Sequence, residues 1–386
     1  MSAEADEATG PGFDADRAAN RLRGADFVAV SAAATGDALA ATGLLVRACR
    51  ALGVPFQSRV RPDPETQTPD DALTVRVGDD GAADLTLDGR TRPASVDAHA
   101  VARAVDSCDP SPTLALAGAN AAGVGPGAGP TGALLETAER RGLVARRPGL
   151  AVPTSDRADG LACSTRLRVP VSGDVEAARA LLAELDLPAT LDDGARRRVA
   201  SLVAVEAATM ADASDRAAAA VEWLLRPYVT PEGPFETLGG YADVLGATAR
   251  EAPGTGVALA LGGDAREAAL EAWREHGRAV HGLLETATTA RYDGVLVARA
   301  DDAAPERLAT AARLLRDYRS PEPVALVVSA GAAAASAVEP ADLRARTARA
   351  VDAVGTGNAF GGPARAGARF DGDVGEFVRA FTEVRA

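Results

Sequence analysis

Three histidines (His99, His276, His281) and three cysteines (Cys49, Cys108, Cys163) are the side chains of this 386-residue chain best suited to ligate a transition metal or act as a nucleophile. Their spacing assembles neither chemistry. His276 and His281 lie five positions apart, about 140° around a helix, so they cannot grip one ion as an i,i+4 pair does. His99 falls in a surface-type helix, and all three read as structural side chains. The cysteines are dispersed, odd in number and without CxxC spacing, which argues against a zinc site or a disulfide framework and for a reducing compartment. No GxSxG elbow or HExxH pair occurs.

Every one of the 41 basic residues is Arg; the chain has no Lys and no Ile. A Walker A loop, a pyridoxal Schiff base, a protein kinase and a Ser–Lys hydrolase each need a lysine and are excluded. The glycine-rich stretch 123–132 (GVGPGAGPTG) has the composition of a phosphate cradle. It lacks a following Lys and a strand-to-helix context, so it reads as a connection.

Asp and Glu total 54, for a net charge of −13, and 47% of residues are hydrophobic. The chain can therefore build real cores. An acidic, lysine-free, Ala-rich composition predicts a protein of a high-salt cytoplasm, where hydrated carboxylates maintain solubility and molar salt screens their repulsion to about 3 Å. The charge then says little about partners. The N-terminus is acidic and polar, unlike a signal peptide, and no run of 18 apolar residues predicts a membrane span.

Hydrophobic periodicity predicts an α/β protein of two domains. Residues 1–14 read as a disordered tail. A short helix at 15–24, strand 26–31, helix 38–52 ended by Gly53 and strand 54–60 form a β-loop-α-β unit, hence a parallel sheet. Strands at 73–78 and 84–88, a helix at 94–105 and a buried strand-like segment at 113–119 follow. Residues 174–250 are mainly helical. A long helix over 264–290, with Asp264 as its N-cap, connects the domain at 15–263 to a smaller α/β domain at 291–386. That domain holds a strand at 292–299, a helix at 304–317 and a strand at 323–328.

With ValSerAlaAlaAlaThrGlyAsp at 30–37 and PheGlyGlyProAlaArgAlaGlyAla at 360–368, residues 25–386 resemble the DHH phosphoesterase superfamily, in particular its archaeal RecJ-like branch. The stretch ValSerAlaAlaAlaThrGlyAspAlaLeuAlaAlaThrGlyLeuLeu (30–45) is similar to the strand-loop-helix that carries HisxAspxAsp in that family. The family His falls on Ala33, the middle Asp on Thr35 and the last Asp on Asp37. A second family Asp corresponds to Asp79, and the name-giving AspHisHis to Asp88, Gly89 and Arg90. A fourth falls on Ala122, after AlaLeuAlaGlyAla (115–119). Toward the C-terminus, PheGlyGlyProAlaArgAlaGlyAla (360–368) resembles the GlyGlyHisPro loop of the DHH-associated domain, with Gly362 in place of His and Arg365 in place of Ala.

The resemblance implies phosphodiester hydrolysis by two Mn²⁺ or Mg²⁺ ions about 3.5–4 Å apart, held by several carboxylates and imidazoles. Asp37, Asp79 and Asp88 remain as candidate ligands; Ala33, Thr35, Gly89, Arg90 and Ala122 stand where ligands are lost. Gly361, Gly362, Arg365, Gly367 and Arg369 fall where the family meets nucleic acid or phosphate, with Arg344, Arg346 and Arg349 nearby. The expectation is a pseudo-nuclease of replication or repair without a resident metal. Its expected partners are GINS and replicative-helicase components and single-stranded DNA or RNA. The alternatives are a Mn²⁺- or Mg²⁺-dependent single-strand exonuclease with a rearranged site, completed by Asp106 or Asp109, and a nucleotide sensor.

Overall fold

The computed structural model describes residues 13–61, 71–188 and 191–383. The predicted tail at 1–14 lies largely outside them. At its inner end, the Asp14 carboxylate accepts the Arg17 amide at 2.8 Å and starts α1 (Ala15–Arg23). The next apolar run is β1 (Val28–Ala33), buried along its whole length. Thr35 caps α2 (Gly36–Leu52) through its hydroxyl, and Gly53, at φ 71°, ends it. Strands β2 (Phe56–Arg61), β3 (Leu73–Val77) and β4 (Leu85–Leu87) complete an all-parallel sheet in the order β2-β1-β3-β4. Because β1 is central, chain connections leave it to both sides, and the C-terminal ends of β1 and β3 are where sheets of this topology place their ligand sites.

Helices α3 (Ala94–Arg103) and α4 (Pro112–Ala122) pack on α2. Residues 113–119 are thus helix rather than strand. A short Ala-rich apolar run carries no period that separates the two, so the ends decide. Ser111 accepts the Leu114 amide at 3.2 Å, Pro112 sits where its missing N–H is harmless, and Gly123 closes the helix at φ 99°. The connection after α4 is held by Thr131, whose hydroxyl takes the Gly127 amide at 3.0 Å and donates toward the Gly125 and Ala128 carbonyls. Helix α5 (Gly132–Arg140), strand β5 (Ala145–Arg146) and helix α6 (Arg157–Cys163) follow.

The helical segment is α7 (Val175–Ala183), α8 (Asp193–Ala208) and α9 (Ala217–Glu222). Strand β6 (Tyr228–Val229) returns to pair with β5, and α10 (Leu238–Glu251) and α11 (Pro253–Ala260) pack on α2. The long helix is α12 (Arg266–Thr286). Ala265, not Asp264, holds its N-cap position and makes no side-chain bond there.

The second sheet has six strands. Strands β7 (Thr288–Tyr292) and β8 (Val295–Arg299) form a hairpin across Asp293-Gly294, with Gly294 at φ 75°. The expected strand at 292–299 runs through this turn, whose Asp-Gly pair is itself a hairpin signal. Helix α13 (Pro305–Leu314), β9 (Val324–Ser329), the fully buried alanine strand β10 (Ala332–Ala337) and α14 (Leu343–Val354) come next. The chain ends with β11 (Thr356–Gly361), β12 (Arg365–Asp371) and α15 (Val374–Glu383). The order is β11-β12-β10-β9-β8-β7. One face packs on α13 and is continuous with the core of the first domain. The other carries α14 and α15, with Phe370 and Phe377 stacked at 4.5 Å.

The two domains meet around one carboxylate. Asp243 of α10 is 2% exposed and accepts from the Trp273 indole of α12 at 3.0 Å, the Ser164 hydroxyl at 3.0 Å, the Thr165 amide at 3.1 Å and the Thr165 hydroxyl. The segment it fixes is gripped from the C-terminal domain. Arg313 donates to the Thr165 carbonyl at 2.8 Å, and the Tyr318 hydroxyl to the Arg166 carbonyl at 2.9 Å. Replacing Asp243 orphans several buried donors. Asp243→Ala should lower unfolding stability by about 3–5 kcal/mol, comparable to breaking a buried charged pair, and Asp243→Asn by less, as read from urea midpoints in molar KCl.

Burial also holds His99 and His281 down, to about 4, so both rings are neutral in the fold. In the unfolded chain they take up protons near 6.5. Their contribution is complete above that pH and is lost as pH falls toward 4. The melting temperature should decline across this window, and less steeply in the His99→Gln, His281→Gln double variant.

Candidate functional site

Asp37, Asp79 and Asp88 follow the C-terminal ends of β1, β3 and β4, and their side chains are committed to structure. Asp37, in the first turn of α2, is 6% exposed. Its two oxygens accept the Ala94 amide at 2.7 Å and the Ser95 amide at 3.0 Å. Pro93 precedes α3 and supplies no side-chain cap, so Asp37 caps that helix from another element. Burial outweighs these bonds and raises the Asp37 carboxyl above the usual carboxylate range. Asp79 turns away to the Gly81 amide at 2.8 Å and the Arg76 guanidinium at 3.3 Å. Asp88 accepts the Arg90 amide at 2.9 Å.

Packing around the other candidate positions is close. A Cβ on Gly78, whose φ is 75°, would lie 3.0 Å from the Ala38 methyl and 3.3 Å from the Ala33 methyl. The Thr35 hydroxyl takes the Ala38 amide at 3.2 Å. Gly89 abuts the Asp37 carboxylate, and Arg90 pairs with Asp80. Ala122 is the last residue of α4. Asp109 pairs with Arg141 at 3.1 Å on an exposed surface.

Asp97 was not expected here. It lies one turn into α3, paired with Arg92 at 3.1 Å, and is pushed up to about 6, first by burial and further by Asp37 and Asp88. Asp37, Asp88 and Asp97 therefore share one neighbourhood. The periodic placement of Asp97 on the buried side of α3 is the only sequence signal for it. Even so, the donor set does not fit a two-metal centre. Ala33, Gly89 and Ala122 offer no donor, both Asp37 oxygens are taken by amides, and Asp79 faces Arg76. Among the described residues, no group of three or more His, Cys, Asp or Glu side chains is placed to hold a metal ion.

The C-terminal loop belongs to the β11–β12 hairpin. Gly361 turns the β11–β12 hairpin at φ 99°, and Gly362 donates to the Arg365 carbonyl at 2.7 Å. A Cβ on Gly367 would strike the Phe360 ring at 2.5 Å, so glycine is there for packing. Arg369 pairs with Glu306 at 3.0 Å. Arg346 lies over Phe381 at 4.4 Å and donates to its carbonyl at 2.6 Å. Arg344 crosses to the first domain and pairs with Asp80 at 2.9 Å. Arg365 reaches Gly123, at the end of α4.

A curated relative, the uncharacterized protein rrnAC1427 of Haloarcula marismortui, is 49% identical over 392 residues, covering 99% of this chain and 100% of its own length. The chain belongs to the rrnAC1427 family. Residues 287–383, from the β7 strand through α15, match the family model of the rrnAC1427 C-terminal domain. Among solved structures, CDC45 from Entamoeba histolytica is similar with a TM-score of 0.60, over 96% of this chain and 98% of that one, at 10% identity. What is shared at that identity is the fold, from the parallel sheet through the C-terminal sheet. An exonuclease RecJ bound to manganese aligns over 95% of this chain and 92% of its own, with a TM-score of 0.49 and 17% identity.

The cap geometry makes Asp37 a stability residue. Asp37→Ala should destabilise the protein by about 1–3 kcal/mol, the cost of two buried amides left without an acceptor. The loss should be the same with or without millimolar Mn²⁺. Thermal melts in both conditions check it: a variant as stable as the parent removes the capping role.

Proposed function

We propose that this chain is a non-catalytic RecJ-like member of the DHH superfamily that works in DNA replication or repair as a factor associated with GINS and the replicative helicase. The observation that carries the reading is the state of the first sheet's strand ends. A framework with the CDC45 fold over nearly its full length keeps Asp37, yet commits that carboxylate to capping α3. Alanine and glycine stand where a hydrolytic centre needs ligands. A fold preserved without its metal chemistry is retained for its surfaces, and non-catalytic superfamily members partner GINS and the helicase. In this reading, loop 361–369 faces single-stranded DNA or RNA. Arg365 is its phosphate-facing group, since Arg369 is paired and Gly367 is packed. The acidic, lysine-free composition suits a cytoplasm of molar salt.

Two measurements test this. End-labelled single-stranded DNA in molar KCl with Mn²⁺ should be degraded no faster by the parent than by the Asp37→Ala, Asp79→Ala, Asp88→Ala triple variant. Degradation lost in the variant makes the protein a metal-dependent exonuclease instead. A pull-down from a native-salt lysate should recover GINS or helicase subunits. Their absence removes the partnership.

A further inference from the structure

The chain has two tryptophans with opposite environments. Trp273 is fully buried against Asp243, whereas Trp223, just after α9, is 57% exposed. Leaving so much indole in water is unfavourable. The ring lies against the loop after α4. A Cβ on Gly125 would meet it at 2.9 Å, so only glycine lets the indole rest there.

Two residues earlier, the same loop receives a cation from the other domain. The Arg365 guanidinium lies 3.6 Å from where a Gly123 Cβ would stand. Among the described residues it makes no hydrogen bond or ion pair. Desolvation by the surrounding protein weighs on it most, and Arg313, Arg316 and Arg250 add like charge, opposed by Asp317. The neighbours are partly satisfied. Arg250 donates to the Gly246 carbonyl, Arg313 to Thr165, and Arg316 is paired with Asp317. Like charges held together around an unpaired guanidinium leave a strong field for an anion. Two residues of chain span at most about 7 Å, so an exposed indole and an unpaired guanidinium border one short stretch, Gly123–Gly125.

We propose that Trp223 and Arg365 form a two-part site for a nucleobase carrying a phosphate, the base stacking on the indole and the phosphate oxygens meeting the guanidinium. This rests on the reading of loop 361–369 as the face turned to nucleic acid, and adds the base-binding half from the first domain. Stacking depends little on counterion release, so it keeps its strength in molar salt where phosphate contacts alone weaken. A free nucleotide and the 5′-end of a strand share this chemistry.

Intrinsic fluorescence of the full chain in molar KCl tests the site. The probes are dAMP, ATP, and a short oligodeoxyadenylate with and without a 5′-phosphate. Saturable quenching is expected from at least one phosphate-bearing probe. Response to the nucleotides alone identifies a free nucleotide as the ligand; response to the oligomer alone identifies a strand end. Trp223→Leu should abolish the quenching and weaken binding, followed by anisotropy of a labelled probe, about tenfold or more. Arg365→Gln should remove the preference for a 5′-phosphate while leaving residual quenching. Melting curves confirm that both surface variants fold. The proposal is overturned if no probe quenches at millimolar concentration, if phosphate makes no difference to the parent, or if either variant binds like the parent. Loss of this site with GINS still recovered leaves the partnership standing, and the converse leaves the site standing.

Discussion

The carboxylate of Asp243 is the constraint on which the rest of this structure depends. Buried carboxyl oxygens need several donors, and four are supplied by residues from α12 and the 164–165 segment. Meeting that need fixes the 164–166 segment, and Arg313 and Tyr318 then fasten the second sheet domain to the backbone so ordered. The apolar core continues across the same junction through α13. Domain placement is therefore held by a polar network set inside an apolar seam.

The ends of the first sheet's strands are packed rather than lined with metal ligands. A hydrolytic centre needs side chains that project donors into a space. Here the space is taken up by backbone approach, Gly78 against Ala33 and Ala38, with Thr35 and Asp37 turned to helix caps. Capping is work that any carboxylate at a helix N-terminus can do. Asp37 thus has a physical reason to persist that is independent of metals. The arginine cluster is different in kind. Most of its arginines are answered by carbonyls or acids, and Arg365 is left without a hydrogen bond or ion pair among the described residues.

Much of the architecture was legible because it is local. The parallel β-loop-α-β unit, Gly53 as a helix stop and the strands near 73–78 and 84–88 follow from periodicity and turn chemistry. Other elements are decided by their ends. Residues 113–119 read as a strand-like segment because a short Ala-Leu run has no distinguishing period, and the Ser111 and Gly123 caps decide for helix. The Asp293-Gly294 turn was absorbed into a strand although its two residues signal a hairpin. Asp264 has the right residue type for a cap, but Ala265 occupies the position.

By itself, the sequence determined what this protein lacks and how its elements run. A side chain missing from the chain is missing in any fold, so the absence of lysine chemistry needed no coordinates. Only the tertiary structure decided what the remaining groups do. Asp37 became a cap because Ala94 and Ser95 bring their amides to it from another helix. Trp223 and Arg365 reach the same loop from different domains. Such meetings are set by how helices and sheets pack, and no local pattern records them, because packing energy is spread over many contacts between residues distant in the chain.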